Sequence, residues 1–338
     1  MKTLSTSTLL AACLTVAVGA AFAFGGPKGL QFLAGENLSD AAVAGKLAEQ
    51  MTNDTKGKNW GKVNKVIVPA YYLEFRTSSS GKALKKGLKD ISVNATVDYT
   101  NPDKAVMESI ATEGRADLKA KLAAAGFEVV EAGDLKALDK YKDLKTLESG
   151  TLGESTVQPI GWAKFKAIFA AADGAPIYTV IPGEPGWGMS AAYASYGVDG
   201  TLWKNAGGDG VGIVRSRMLI DFVTFTGESG KTYDMDGWKN YANISATPQV
   251  TVWVPSLCVT RTYIFFGGKV AGDNLGCVNV VPEIQLASKM PPATLGKLED
   301  KNETWLFTAD NAKYKEAALE QIKVANSLLV AKAKAYKK

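Results

Sequence analysis

"NKVIVPAYYLEFR", residues 64–76, is the stretch on which the reading of this chain turns. Its first half is apolar at consecutive positions, so both of its faces need cover. A strand of that kind belongs inside a sheet, away from the edge. The polar stretch "TSSSGKALKKG" then reads as a connection, and "LKDISVNATVDYT" alternates as a second strand. Asn101-Pro102-Asp103 opens a helix. Pro102 suits its first turn, Asp103 and Glu108 suit its positive end, and Gly126 closes it. Its apolar stripe is Met107, Ile110, Ala111, Gly114, Leu118, Leu122 and Ala125, with Gly114 permitting close packing. "FEVVE" returns as a strand, and a helix leading back to a strand predicts a mixed α/β layer.

Upstream, Ser39 stands ready to cap the helix "DAAVAGKLAEQM", with Val43, Leu47 and Met51 on one side. Downstream, residues 134–172 read as largely helical, from the spacing of Leu135, Leu138, Tyr141 and Leu144, then of Trp162, Phe165, Ile168 and Phe169. "PIYTVIP" reads as a strand. From Gly174 to Gly212 the texture changes: ten glycines fall in 39 residues, interleaved with Trp187, Tyr193, Tyr196 and Trp203. That composition predicts an irregular, functional loop. Residues 211–286 read as β-rich, and the last thirty form an amphipathic helix with Tyr314, Ala318, Ile322, Ala325 and Leu329 aligned. The expected fold class is therefore α/β with α+β mixing: a mixed sheet with packed helices, a β-rich second half and a C-terminal amphipathic helix. The divisions are a signal peptide (1–23), an α/β module (24–172), a Gly/aromatic loop segment (173–212), a β-rich part with a hairpin disulfide (213–290), and a linker with the final helix (291–338).

Composition removes several chemistries. The 338 residues include no histidine, which excludes His triads, His acid–base catalysis and His-ligated metals. Three cysteines are too few for a thiolate zinc cluster. Of 39 basic residues only Arg76, Arg115, Arg215, Arg217 and Arg261 are arginine, and a dispersed lysine excess reads as a solvated surface rather than a nucleic-acid groove. No metal, cofactor or nucleic-acid partner is expected.

The opening "MKTLSTSTLLAACLTVAVGAAFA" has a basic start, an apolar run and an Ala21-Phe22-Ala23 site, so cleavage after Ala23 is expected. Cys13 follows too polar a segment for lipid attachment. The short leader reads as bacterial, and the chain as exported to the periplasm or cell surface. Cys258 and Cys277, the mature pair, flank two strand-like runs around Gly267-Gly268, which predicts a disulfide near the open end of a hairpin.

Two nucleotide motifs fail on inspection. "GESGKT", residues 227–232, resembles the end of a phosphate-binding loop, but Phe225 stands where its first glycine belongs and no helical stripe follows. The plain reading is a glycine-containing hairpin turn. Gly186-Trp187-Gly188 with Ala191 approaches a dinucleotide fingerprint, in a setting too rich in proline for the strand–helix junction. In "VRSRMLIDFVTF", alternation sets Val214, Met218, Ile220 and Phe222 against Arg215, Arg217 and Asp221. The charged face suits an anion or a structural ion pair, the latter being expected; Glu74 and Arg76 form a similar pair. No two acids stand out as a catalytic pair. Trp187, Tyr193, Tyr196 and Trp203 are the candidate contact rings.

Residues 64–131, a strand leading to a long helix that ends "LAAAGFEVVE", resemble the periplasmic α/β domains of the curli-secretion channel and the amino-terminal domain of TolB. The resemblance carries over no functional residue. It implies an envelope protein that acts by binding or self-assembly, without catalysis, on itself or on an envelope protein. The alternatives are a secreted carbohydrate-active enzyme or polysaccharide-binding protein using carboxylates and stacked rings, and a periplasmic small-ligand carrier.

Overall fold

A computed structural model describes residues 29–85, 91–155, 165–178, 189–234, 237–266, 269–273, 275–289, 293–297 and 304–337. In chain order the first elements are β1 (Gly29–Gln31), α1 (Ala41–Met51), β2 (Thr52–Thr55), β3 (Lys65–Arg76), β4 (Ser78–Lys85) and β5 (Ile91–Tyr99). Then come α2 (Lys104–Ala124), β6 (Glu128–Val130), β7 (Thr151–Ser155), β8 (Phe165–Ala171), α3 (Met189–Asn205), β9 (Val211–Asp234) and β10 (Gly237–Thr260). The chain closes with β11 (Thr262–Phe266), β12 (Lys269–Asp273), β13 (Gly276–Val280), β14 (Ile284–Ala287), β15 (Ala293–Lys297), β16 (Thr304–Ala309) and α4 (Asn311–Lys334).

The architecture is mixed α/β. A ten-stranded sheet runs β1-β14-β10-β9-β3-β8-β7, with β6 beside β3 and β13 bridging β10 to β2. β3 lies at its centre, parallel to β9 and β6 and antiparallel to β8. Every residue from Val66 to Arg76 is buried, as the doubly apolar sequence requires. Pro69 lacks an amide donor and falls where the β3–β9 register slips, between Ile67 and Ala70. β4, β5, β15 and β16 make a second, four-stranded sheet, and among the described residues β11 pairs only with β12.

Aspartates start the three helices with a described amino-terminal cap. Asp40, Asp103 and Asp310 accept from backbone amides at the starts of α1, α2 and α4. Asp40, not Ser39, caps α1; Ser39 donates to Asn37 instead. The α2 stripe is buried as expected, and Gly114 is there for contact: a Cβ would stand 2.8 Å from the Tyr71 hydroxyl and 3.1 Å from Ile322. α4 exceeds its expected stripe. Residues 324–330 are buried without interruption, because α4 is wedged among α1, α2 and the sheet. Tyr99, Phe222, Phe307 and Tyr314 form an aromatic cluster where the second sheet meets α4 and β9.

Four local expectations are corrected. "TSSSGKALKKG" is not merely a connection, since residues 78–85 form β4, paired along their length with β5. Among the described residues of 134–172, which exclude 156–164, the only helical turns are short 3-10 ones at 135–137 and 139–143 and one that begins at Ala172. β8 holds "FKAIFAA", and its sandwiching between β7 and β3 outweighs the helical spacing of its apolar residues. The expected loop 174–212 contains α3, where burial of Val198 and Leu202 against Ile67 and Ile213 offsets the helix cost of Gly197 and Gly200. "GESGKT" lies within β9 rather than in a turn. Trp162, Trp187 and most of "PIYTVIP" lie outside the described residues.

Candidate functional site

β3 and β9 are parallel neighbours, with Ala70 opposite Arg215, Glu74 opposite Leu219 and Phe75 opposite Ile220. The alternating face that includes Ala70 also carries Glu74 and Arg76; that of β9 carries Arg215, Arg217 and Asp221. The result is a row of charge inside the protein. Glu74 and Arg76 do not pair with each other but cross to β9. Arg217 Nε donates to Glu74 Oε1 at 3.0 Å, and Arg76 Nη1 donates to Asp221 Oδ2. Ser155 Oγ takes the other Glu74 oxygen. Asp221 also accepts from Ser79 Oγ at 3.3 Å and from the Phe222 amide at 2.9 Å. Glu74 and Asp221 are almost wholly buried, and these donors supply what water otherwise would.

The third pair closes the row at α3. Arg215 Nη2 donates to both oxygens of Asp199, at 2.8 Å each, and Nη1 donates to the Tyr178 carbonyl at 3.2 Å. The Tyr178 hydroxyl donates to Asp199 at 3.0 Å and that of Tyr263 at 3.5 Å. The guanidinium also lies 4.5 Å over the Tyr178 ring. Burial pushes the Asp199 carboxyl upward, against the lowering effect of Arg215 and the two hydroxyls. Both phenols are raised well above the ordinary tyrosine range, first by burial and then by the neighbouring carboxylate.

A cavity of about 260 Å³ opens beside this row, bounded by Arg76, Ser79, Asp221, Thr224, Trp253 and Gln285. Its charged wall groups are already joined to each other. Arg215, Arg217 and Asp221, expected to form an ion pair on one strand face, do not pair with one another: each is joined to a residue of another element, Asp199, Glu74 and Arg76 respectively. Asp199 was hidden in the segment read as a loop. Read as a helix, Ser195, Val198, Asp199 and Leu202 share a face, and an acid in that face is the signal that finds it. Tyr196 and Trp203 lie half-buried at the edge of the same region, 6.3 and 6.0 Å from Tyr263 between ring centres. Tyr193 is half-buried on α3, and Trp187 is outside the described residues. Cys258 and Cys277 are directly opposite in β10 and β13 and joined by a disulfide.

The second feature is the ribbon β9–β10, each strand 24 residues long. β9 pairs with β3 only as far as Ile220, and β10 meets β14 only from Thr251. From Phe222 to Asp234 and from Gly237 to Pro248, no third strand pairs with the ribbon among the described residues. The base of this arm packs on β4, where Gly81 sits against Phe225 and Ile244. Beyond that, Thr226, Gly227, Ser229, Asn243 and Ser245 are exposed. Gly227 to Asp234 alone spans roughly 25 Å.

Among the described residues no cluster of potential metal ligands occurs, and no helix is long and apolar enough to cross a membrane. No protein-family model, curated protein or solved structure matches the chain.

Proposed function

We propose that this chain is an exported envelope or surface protein that acts by binding and self-assembly rather than by turning over a substrate. The β9–β10 ribbon carries this reading. A long ribbon with two unpaired edges is a template for a further strand, and strand addition joins chains through main-chain hydrogen bonds. The disulfide supports export, since such bonds persist in oxidising compartments. The buried acids speak against acid–base work at the charged row, because Glu74, Asp199 and Asp221 are each held by a guanidinium.

The partner is another copy of the chain or an envelope protein. Light scattering of the exported protein, with and without residues 228–243 replaced by an Asn-Gly turn between the paired Gly227 and Ile244, tests the proposal. The intact protein is expected to assemble and the shortened one to remain monomeric with its melting temperature unchanged. Assembly that survives the deletion, or an intact chain that is monomeric and recruits no envelope protein, would falsify it.

A further inference from the structure

Where β9 leaves the sheet to become the ribbon, the cavity beside Arg76 and Asp221 draws walls from β1, β3, β4, β9, β10 and β14. Leu30, Gln285 and Trp253 stand opposite one another across β1, β14 and β10, so they share one face of the sheet. On both sides of Trp253 the pairing of β10 with β9 is irregular. It slips by one residue between Pro248 and Thr251, and again between Trp253 and Ser256. The first slip leaves Val250 in the apolar core and sets Thr251 opposite Asp221. The second contains Val254, whose φ of 45° is left-handed backbone that a β-branched residue rarely adopts. Val254 also precedes Pro255, where extended backbone is favoured. Bulges and strained backbone of this kind re-aim side chains beside binding sites.

The hydrogen bonds already made define what the cavity can still accept. The Trp253 indole N–H is used within its own strand, donated to Thr251 Oγ1 at 2.8 Å, so toward a ligand the ring offers carbon surface. Asp221 accepts from Arg76, Ser79 and the Phe222 amide, three of the roughly four places that a carboxylate has. It has room for one more donor. Arg76 and Asp221 cancel in charge, and no other lining residue among those described is charged. An anion would draw Arg76, and a cation Asp221, away from a partner that is equally buried and would be stranded. A hydroxyl needs neither. It donates to Asp221 while the ion pair stays closed, and the Gln285 amide can donate to or accept from its neighbour. Adjacent hydroxyls at a ring edge, with C–H groups on a face that packs against an indole, describe a pyranose. At about 260 Å³ the cavity lies below the roughly 300 Å³ at which drug-sized sites begin, so a single ring enters, alone or as a chain end.

We propose that this cavity binds a neutral hexopyranose, its C–H face on Trp253 and its hydroxyls on Asp221 and Gln285. The site is separate from strand addition by the ribbon: replacing residues 228–243 keeps every lining residue, so either reading can fail alone. Calorimetric titration of the full-length protein with D-glucose, D-galactose and D-mannose tests it, with the melting temperature followed for each variant. Saturable binding of at least one hexose is expected, with the uronate and the 2-amino sugar of the same ring at least fivefold weaker. Trp253→Leu should weaken that hexose about tenfold and Trp253→Phe much less, as expected of ring stacking. Gln285→Leu, at a half-buried position, should weaken it about fivefold at unchanged melting temperature. The methyl glycoside separates two sources of the same ring: retained binding places the terminal residue of a chain in the cavity, and lost binding a free sugar. Failure of all three hexoses to bind, equal or tighter binding of the uronate or amino sugar, or indifference to Gln285→Leu overturns the proposal. So does a folded Trp253→Leu protein of unchanged affinity.

Discussion

On one face of β9, Val214, Met218, Ile220 and Phe222 meet the α2–α4 layer through apolar contacts. On the other face, at the alternate positions, Arg215, Arg217 and Asp221 are buried nearly as deeply, and each has a charged partner on another element. The apolar face is stabilised by area removed from water and tolerates any well-shaped neighbour. The charged face is stabilised only while each partner holds its place. Losing one leaves a charge with no water to replace it.

The largest test strikes both faces together. Tyr178 and Tyr263 on the charged side, and Tyr71 and Tyr314 under the helices, are all raised above the ordinary tyrosine range, chiefly by burial. A raised phenol contributes its full stability below the unfolded value near 10 and loses it as pH rises beyond. Four such groups amount to about 5 kcal/mol per pH unit above 10. Unfolding should therefore begin in that window, with tyrosinate absorbance and loss of near-ultraviolet dichroism coinciding. Absorbance rising while the dichroism persists would show that these hydroxyls are not sealed.

Next come single-sided deletions. Asp199→Ala strands Arg215 and should cost about 3–5 kcal/mol in urea denaturation, whereas Asp199→Leu with Arg215→Met should recover most of it. If the pair replacement is as damaging as the single one, the charged face is held by something other than pairing. On the apolar face, Leu329→Ala should cost about 3 kcal/mol, with no second substitution able to rescue it by restoring charge balance. Gly114→Ala should cost about 1–3 kcal/mol by pushing α2 off Tyr71; a neutral outcome would mean that the interface gives way easily. Smallest is Asp40→Ala, about 1 kcal/mol from the lost cap of α1, against no measurable change for Ser39→Ala.

Much of the apolar side was legible in residues 64–131. A doubly apolar strand announces a central position, and a stripe of period 3.6 announces which side of α2 is covered. The charged side was legible only as a list of charges. Glu74 and Arg76 look like partners because they are two residues apart, yet each joins a residue more than 140 positions away.

By itself the sequence determined the mixed α/β class, the central strand, α2, α4 and the cysteine pair, because periodicity and capping are local and survive without knowledge of neighbours. The tertiary structure decided that 78–85 is a strand, that 189–205 is a helix despite its glycines, and which acid meets which arginine. Those outcomes depend on register and packing between segments far apart in the chain, where the free energy of burial outweighs local propensity by several fold.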